Sequence, residues 1–326
     1  PIEPAVVPWG ISEVELSLEG HRPARDILWG MTYWGADRRF VLDPLGSVPD
    51  EMVRVAYEAY PVQLPGLDHL AEEPMVDYLI DRCEVTNAEF RRFVDAGAYR
   101  RPELWQVPFV KDGRELDFGE AMGLFTDRTG LPGPATWEGG GYPEGQAEHP
   151  VGGLSWYEAE AYARFVGKEL PSIFHWSLVA FTFGSSEIIP LSNFGAGPVP
   201  AGSTRGMNRF GALDLAGNVR EWCFNEVAGT GSHFILGGGW NDQRYAFNDA
   251  YAADAFDRSA TNGVLWVRLP EAEPDRDGLL RAIETPFRDF AAEAPVDEET
   301  FAVFLRQFDY DRTPLDATVD SEEVQE

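Results

Sequence analysis

The chain has 326 residues, 44% hydrophobic and 25% charged, the balance of a globular protein of one or two domains. Its net charge of −29 comes from 55 acidic against 26 basic residues. A surface this acidic repels phosphate backbones and anionic lipid, so no nucleic-acid partner is expected. No apolar run approaches the length of a transmembrane helix, so no membrane insertion is expected either. Cys83 and Cys223 are too few for a disulfide framework, and Pro1-Ile2-Glu3-Pro4 lacks the basic and apolar parts of a secretory leader. A cytoplasmic location is expected.

Residues 1–48 read as a small β-meander. Polar and apolar residues alternate over 13–19 and stop at Gly20, and 29–34 and 39–42 look like further short strands. The turn residues of 43–49 mark a linker. Residues 50–270 form the main domain, with two clear helix signals. Over 86–95, Thr86 and Glu89 have capping-box spacing. Over 155–167, Ser155 and Glu158 repeat it, Tyr157, Ala161, Tyr162 and Phe165 share a face, and Gly167 is the stop. Most of the remainder is loop rich in Gly, Pro and aromatics, as in 130–145. The tail, 271–326, carries 17 acidic against 5 basic residues and suggests short amphipathic helices over 279–283 and 298–308.

Three segments, in order, resemble one family. Glu84-Val85-Thr86-Asn87 with Phe90 and Phe93 is similar to the opening of the formylglycine-generating enzyme (sulfatase-modifying factor) family. The 149–159 stretch followed by Lys168-Glu169-Leu170-Pro171-Ser172 resembles its central helix and the step after it. Asp214-Leu215-Ala216-Gly217-Asn218-Val219-Arg220-Glu221-Trp222, then Gly237-Gly238-Gly239-Trp240, resembles its closing signature. The resemblance covers about 50–270 and implies an α+β, irregular C-type lectin-like fold, here preceded by the β-meander. Kinase motifs are absent, although multidomain bacterial relatives carry kinase neighbours.

The resemblance also implies chemistry, and the chain departs from it. The family's copper needs two cysteines just after the glycine strand, a thiolate pair suited to soft Cu(I). Those places hold Asp242 and Phe247, so no copper is expected. The family's calcium loop maps onto Asp214, the carbonyls of Gly217 and Val219, and Glu221, an oxygen set that suits a structural Ca²⁺. The alternative is a hydrogen-bonded turn without metal. His21, His69, His149, His175 and His233 show no metal-ligand spacing and read as structural, with His175 where the family often has Glu.

In lectin-like folds 240–262 forms the exposed ligand face. Trp240, Asn241, Asp242, Gln243, Arg244, Tyr245, Phe247, Asn248 and Tyr251 supply the rigid aromatics and adaptable polar groups of a recognition surface. The stretch also resembles the variable region of diversity-generating retroelement proteins. The competing reading is an ordinary polar loop held together by Asp257, Arg258 and Asn262. The expected function is binding of a protein or small-molecule ligand. The alternatives are a metal-dependent oxidoreductase of the same superfamily or a regulatory module of a kinase-linked bacterial protein.

Overall fold

Three helix starts in this chain are written as capping boxes, and the computed structural model, which describes residues 11–29, 41–57, 61–180, 188–270, 274–285 and 297–308, closes all three. Thr86 and Glu89 cap α1 (Asn87–Asp95), and Ser155 and Glu158 cap α3 (Trp156–Val166), which Gly167 ends at φ 66°. Between them lie the hairpin β5 (Phe109–Lys111) and β6 (Arg114–Leu116), and α2 (Phe118–Met122), capped by Asp117 and Glu120. Helix α4 (Ile173–Ala180) starts in the same way. The Ser172 hydroxyl meets the His175 backbone N–H, and the Ser172 N–H reaches His175 Nδ1 at 3.3 Å. An imidazole thus takes the place of the usual Glu, which is why the capping pattern is hard to see in the sequence.

At the N-terminus, β1 (Ile11–Leu16) pairs antiparallel with β2 (Ala24–Trp29). The second strand therefore precedes the 29–34 position expected from the pattern, and 30–40 lies outside the described residues. Val41 and Leu42 are in no strand. Arg22 ties the hairpin to the next segment by donating to the Pro49 and Asp50 carbonyls at 2.8 Å.

Strands β3 (Met52–Val55), β4 (Tyr78–Asp81) and β11 (Val267–Arg268) form a three-stranded sheet in the order β11-β4-β3. The larger sheet runs β10-β7-β8-β9, from β7 (Arg220–Val227), β8 (Ser232–Leu236), β9 (Ala252–Asp254) and β10 (Asn262–Gly263). Alternate residues of a strand face opposite sides, and here the two sides are two cores. Cys223, Phe234 and Leu236 join a cluster with α4 and β3–β4, whereas Trp222 and Ile235 join an aromatic cluster under α1 and α3.

The first compact unit runs to Thr285, so it extends past 270. Helix α5 (Arg276–Leu280) is followed by a return to the sheet. There Asn225 Nδ2 donates to the Leu279 and Arg281 carbonyls, and Leu279 and Ile283 are buried. The second unit contains α6 (Glu298–Phe308).

The aromatic core encloses a charge. Glu158 is fully buried and receives Tyr99 Oη at 2.7 Å and the Arg258 guanidinium at 2.8 and 3.0 Å. Arg258 also donates to the carbonyls of Leu124, Thr126 and Gly133, so one side chain supports three loop turns. Removing one partner of such a pair strands a buried charge and costs about 3–5 kcal/mol. Arg258→Met should therefore move the urea unfolding midpoint sharply downward, and a loss under about 1 kcal/mol would show that the loops hold without it.

Candidate functional site

The site is built on a loop that needs unusual backbone. Asp214 and Asn218 both adopt positive φ, 61° and 59°, and Gly217 between them is at 77°. A Cβ on Gly217 would fall 2.3 Å from the Asn193 carbonyl oxygen, so no larger residue fits there. This packing brings loop 193–199 against Asn218, whose amide is fully used. Its oxygen accepts from Asn193 Nδ2 and the Val199 N–H, and its nitrogen donates to Glu84 Oε2 at 2.6 Å and to the Val199 carbonyl. The Asn218 carbonyl in turn receives the Trp240 N–H at 2.7 Å.

That last bond sets the opposite wall. Phe194 and Gly195 on one side and Trp240, Asn241, Asp242, Gln243, Arg244 and Tyr245 on the other enclose a groove of about 420 Å³. The volume is within the range of small-molecule and peptide sites. Its backbone is fixed from below. Asp242 Oδ2 accepts the Gly239 N–H at 2.5 Å and Arg220 Nη2 at 2.7 Å, and the Arg220 guanidinium lies 4.1 Å from the centre of the Tyr251 ring. Asn241, Gln243, Arg244, Tyr245, Asn248 and Tyr251 are exposed, Tyr245 by 68%. Trp240 and Asp242 are half-buried.

Phe247 departs from the expected face. It is buried, its ring 5.8 Å from that of Trp176, and acts as the plug that holds the short 3₁₀ turn Arg244–Asn248 to the core. A ring of that size is held by apolar burial, which offers nothing to a ligand. The far part of 240–262 is also architecture, since Arg258 holds the aromatic core and Asn262 is buried, donating to Asp257. Most of the exposed side chains of 240–262 lie in 240–251, with Asp254, Ser259 and Ala260 exposed beyond it.

Beneath the groove lie three buried carboxyls. Burial raises Glu84 and Glu221 well above the usual carboxylate range, and raises Asp214 as well; the Asp214 charge pushes both glutamates further up, and that of Glu221 also acts on Glu84. Their partners differ. Asp214 accepts from the Thr204 hydroxyl on one oxygen and the Gly202 N–H on the other, while Glu84 holds Asn218 and the Val219 N–H. Glu221 accepts Trp176 Nε1 at 3.3 Å on Oε2, and its Oε1 is buried with no hydrogen-bond partner among the described residues.

Histidines and cysteines are dispersed. Burial pushes His175 down to about 3, and His233, stacked on Trp156 at 3.9 Å, down to about 4. Burial also pushes the Cys83 thiol up to about 12 and that of Cys223 well above its ordinary value. Among the described residues no group of three or more His, Cys, Asp or Glu is placed to hold a metal ion, and no helix is long and apolar enough to cross a membrane.

An irregular α+β domain of small sheets and capped helices, with a loop-built groove beside a glycine strand, defines a formylglycine-generating-enzyme-like, C-type lectin-like fold. The sulfatase-modifying factor enzyme 1-like domain matches residues 68–269, and the chain belongs to that family. It is 29% identical to hercynine oxygenase of Mycolicibacterium smegmatis over 170 residues, 47% of this chain and 38% of that enzyme, so it spans well under two thirds of that relative. It is 29% identical to inactive Cα-formylglycine-generating enzyme 2 of Bos taurus over 215 residues, 54% of this chain and 70% of that protein. Treponema denticola variable protein 1 aligns with a TM-score of 0.42 at 15% identity, covering 67% of this chain and 95% of that one.

Sequence reasoning missed Phe194 and Gly195, which lie about 45 residues upstream in a loop without periodicity. It also missed the roles of Arg220 and Glu84, although both lie inside the matched motifs. Exposed substitutions usually change stability by within about ±0.5 kcal/mol each. Replacing Asn241, Gln243, Arg244, Tyr245, Asn248 and Tyr251 together with Ser or Ala should leave a cooperative melting transition within a few degrees of wild type. Collapse of the fold after two or three of these changes would make the segment architecture throughout.

Proposed function

We propose that this chain is a ligand-binding member of its family, with the exposed segment 240–251, whose residues 240–245 line the groove, as its recognition surface. One observation carries the reading: Asn241, Gln243, Arg244 and Tyr245 project from a backbone that Asn218, Arg220, Asp242 and Phe247 hold from below, and their exposed side chains make no hydrogen bond or ion pair among the described residues. Rigid aromatics with adaptable amides are the composition of recognition surfaces. A surface of this kind also suits sequence diversification, because its side chains can change without disturbing the core. The ligand is a protein or a small molecule.

The residues do not fit copper. Asp242 and Phe247 stand where the family's cysteine pair is expected, one ion-paired and the other buried. The two cysteines present have thiols that burial keeps protonated near neutral pH, whereas the metal ligand is the thiolate. Incubation with Cu(I), oxygen and a Cys-containing sulfatase peptide should therefore give no aldehyde by mass spectrometry. Efficient conversion would overturn the loss of the oxidase.

The match to hercynine oxygenase favours a second reading, an oxidoreductase that uses other residues. Oxygen uptake by iron(II)-loaded protein in the presence of hercynine tests it directly.

Calcium fits in part. Glu221 offers an unpartnered buried oxygen and the loop offers the Gly217 and Val219 carbonyls, while both Asp214 oxygens are already engaged by Thr204 and Gly202. We assign the ligand role to Glu221 with those carbonyls and a bracing role to Asp214. A bound hard cation would neutralise the buried carboxyls and add fixed charge to the loop. At one hundred times Kd such binding stabilises by about 2.7 kcal/mol. Chelation should lower the melting temperature of wild type and leave that of Glu221→Gln unchanged; identical curves for metal-stripped wild type with and without calcium would remove the site.

A further inference from the structure

Charge in the groove does not cancel. Asp242 is the one carboxylate among its lining residues, and the Arg220 contact neutralises it. Arg244 lines the same groove, is exposed, and makes no ion pair or hydrogen bond among the described residues. In a chain of net charge −29 a groove with one uncompensated cation is a local reversal of sign.

The remaining lining is aromatic and amide. Phe194, Trp240 and Tyr245 contribute rings, and the Asn241 and Gln243 side chains are free of hydrogen-bond partners among the described residues. A guanidinium is a planar fork that matches a carboxylate in two parallel hydrogen bonds. Flanking rings exclude water and strengthen such a contact, which in open solvent is worth little. A phosphate dianion fits less well, because it would meet the Asp242 carboxylate with a single free guanidinium to offset its charge.

We infer that the groove takes a ligand carrying one carboxylate next to an aromatic ring, the carboxylate meeting Arg244 and the ring meeting Trp240 and Tyr245. This rests on the groove being the recognition site and names the chemistry it recognises. The free amino acid derivative and the C-terminus of a peptide ending in an aromatic residue share that chemistry.

Calorimetric titration of the full chain tests it with four probes: N-acetylphenylalanine, N-acetylphenylalaninamide, the peptide Gly-Gly-Gly-Phe with a free C-terminus, and inorganic phosphate. The acid should bind about tenfold or more tightly than the amide, as a charged, paired hydrogen bond implies. Arg244→Gln should erase that difference, and phosphate should not compete. Tighter binding of the peptide than of the single residue assigns the site to peptide ends, and the reverse assigns it to small acids; either supports the inference. Equal binding of acid and amide would overturn carboxylate recognition, and if Tyr245→Ala weakens both equally the groove itself stands as the binding site. Competition by phosphate at the same concentration as the acid, or no binding of either aromatic probe at millimolar concentration, would overturn it too. The substitution-tolerance measurement on the groove is independent of these probes, so failure of the carboxylate inference and failure of the recognition reading are separable.

Discussion

The structure depends on one buried amide. Asn218 is inaccessible to solvent, sits in the left-handed region, and uses all four hydrogen-bonding positions of its side chain. Three of those bonds fasten the 193–199 loop, one fastens Glu84 from a segment 134 residues earlier, and its backbone carbonyl fastens Trp240. The two walls of the groove therefore share one support. A buried amide left half-satisfied costs about 1–3 kcal/mol per group, so the arrangement is close to all-or-none. Loss of any one member would leave the others paying desolvation without return.

Buried charge is handled in three different ways. Glu158 and Arg258 are mutually satisfied inside the aromatic core, with the remaining guanidinium bonds going to loop carbonyls. Asp242 and Arg220 pair at the floor of the groove, where one guanidinium nitrogen is left over. Glu84, Asp214 and Glu221 have no basic hydrogen-bond partner among the described residues and meet the cost by holding their protons more tightly and by accepting neutral donors. The first device stabilises architecture. The second pins the turn after Gly239 to β7, and the third leaves one Glu221 oxygen without a hydrogen-bond partner among the described residues.

The segment after the glycine strand shows how one fold separates display from support. Up to Tyr251 the side chains point outward from a backbone pinned at Trp240, Asp242 and Phe247. Beyond it Arg258 turns inward to Glu158 and Asn262 turns back to Asp257. An ion pair occupies position 242 and a packed ring position 247, so both side chains belong to the support.

The sequence by itself determined the family, the two capped helices and the segment that would line a surface. Each is carried by local signals: capping residues three apart, a glycine at a left-handed stop, and motifs read in order. It did not distinguish Phe247 from its exposed neighbours, because a ring in a polar run has no periodicity to reveal which way it turns. It also could not place Phe194 opposite Trp240, pair Arg220 with Asp242, or show that Asp214 spends both oxygens on its own loop. Those facts are contacts between residues distant along the chain, set by which loop packs on which. Only the tertiary structure decides them, because in a loop-rich fold the backbone's hydrogen bonds go to whatever the packing brings near, with no fixed offset in sequence to announce the partner.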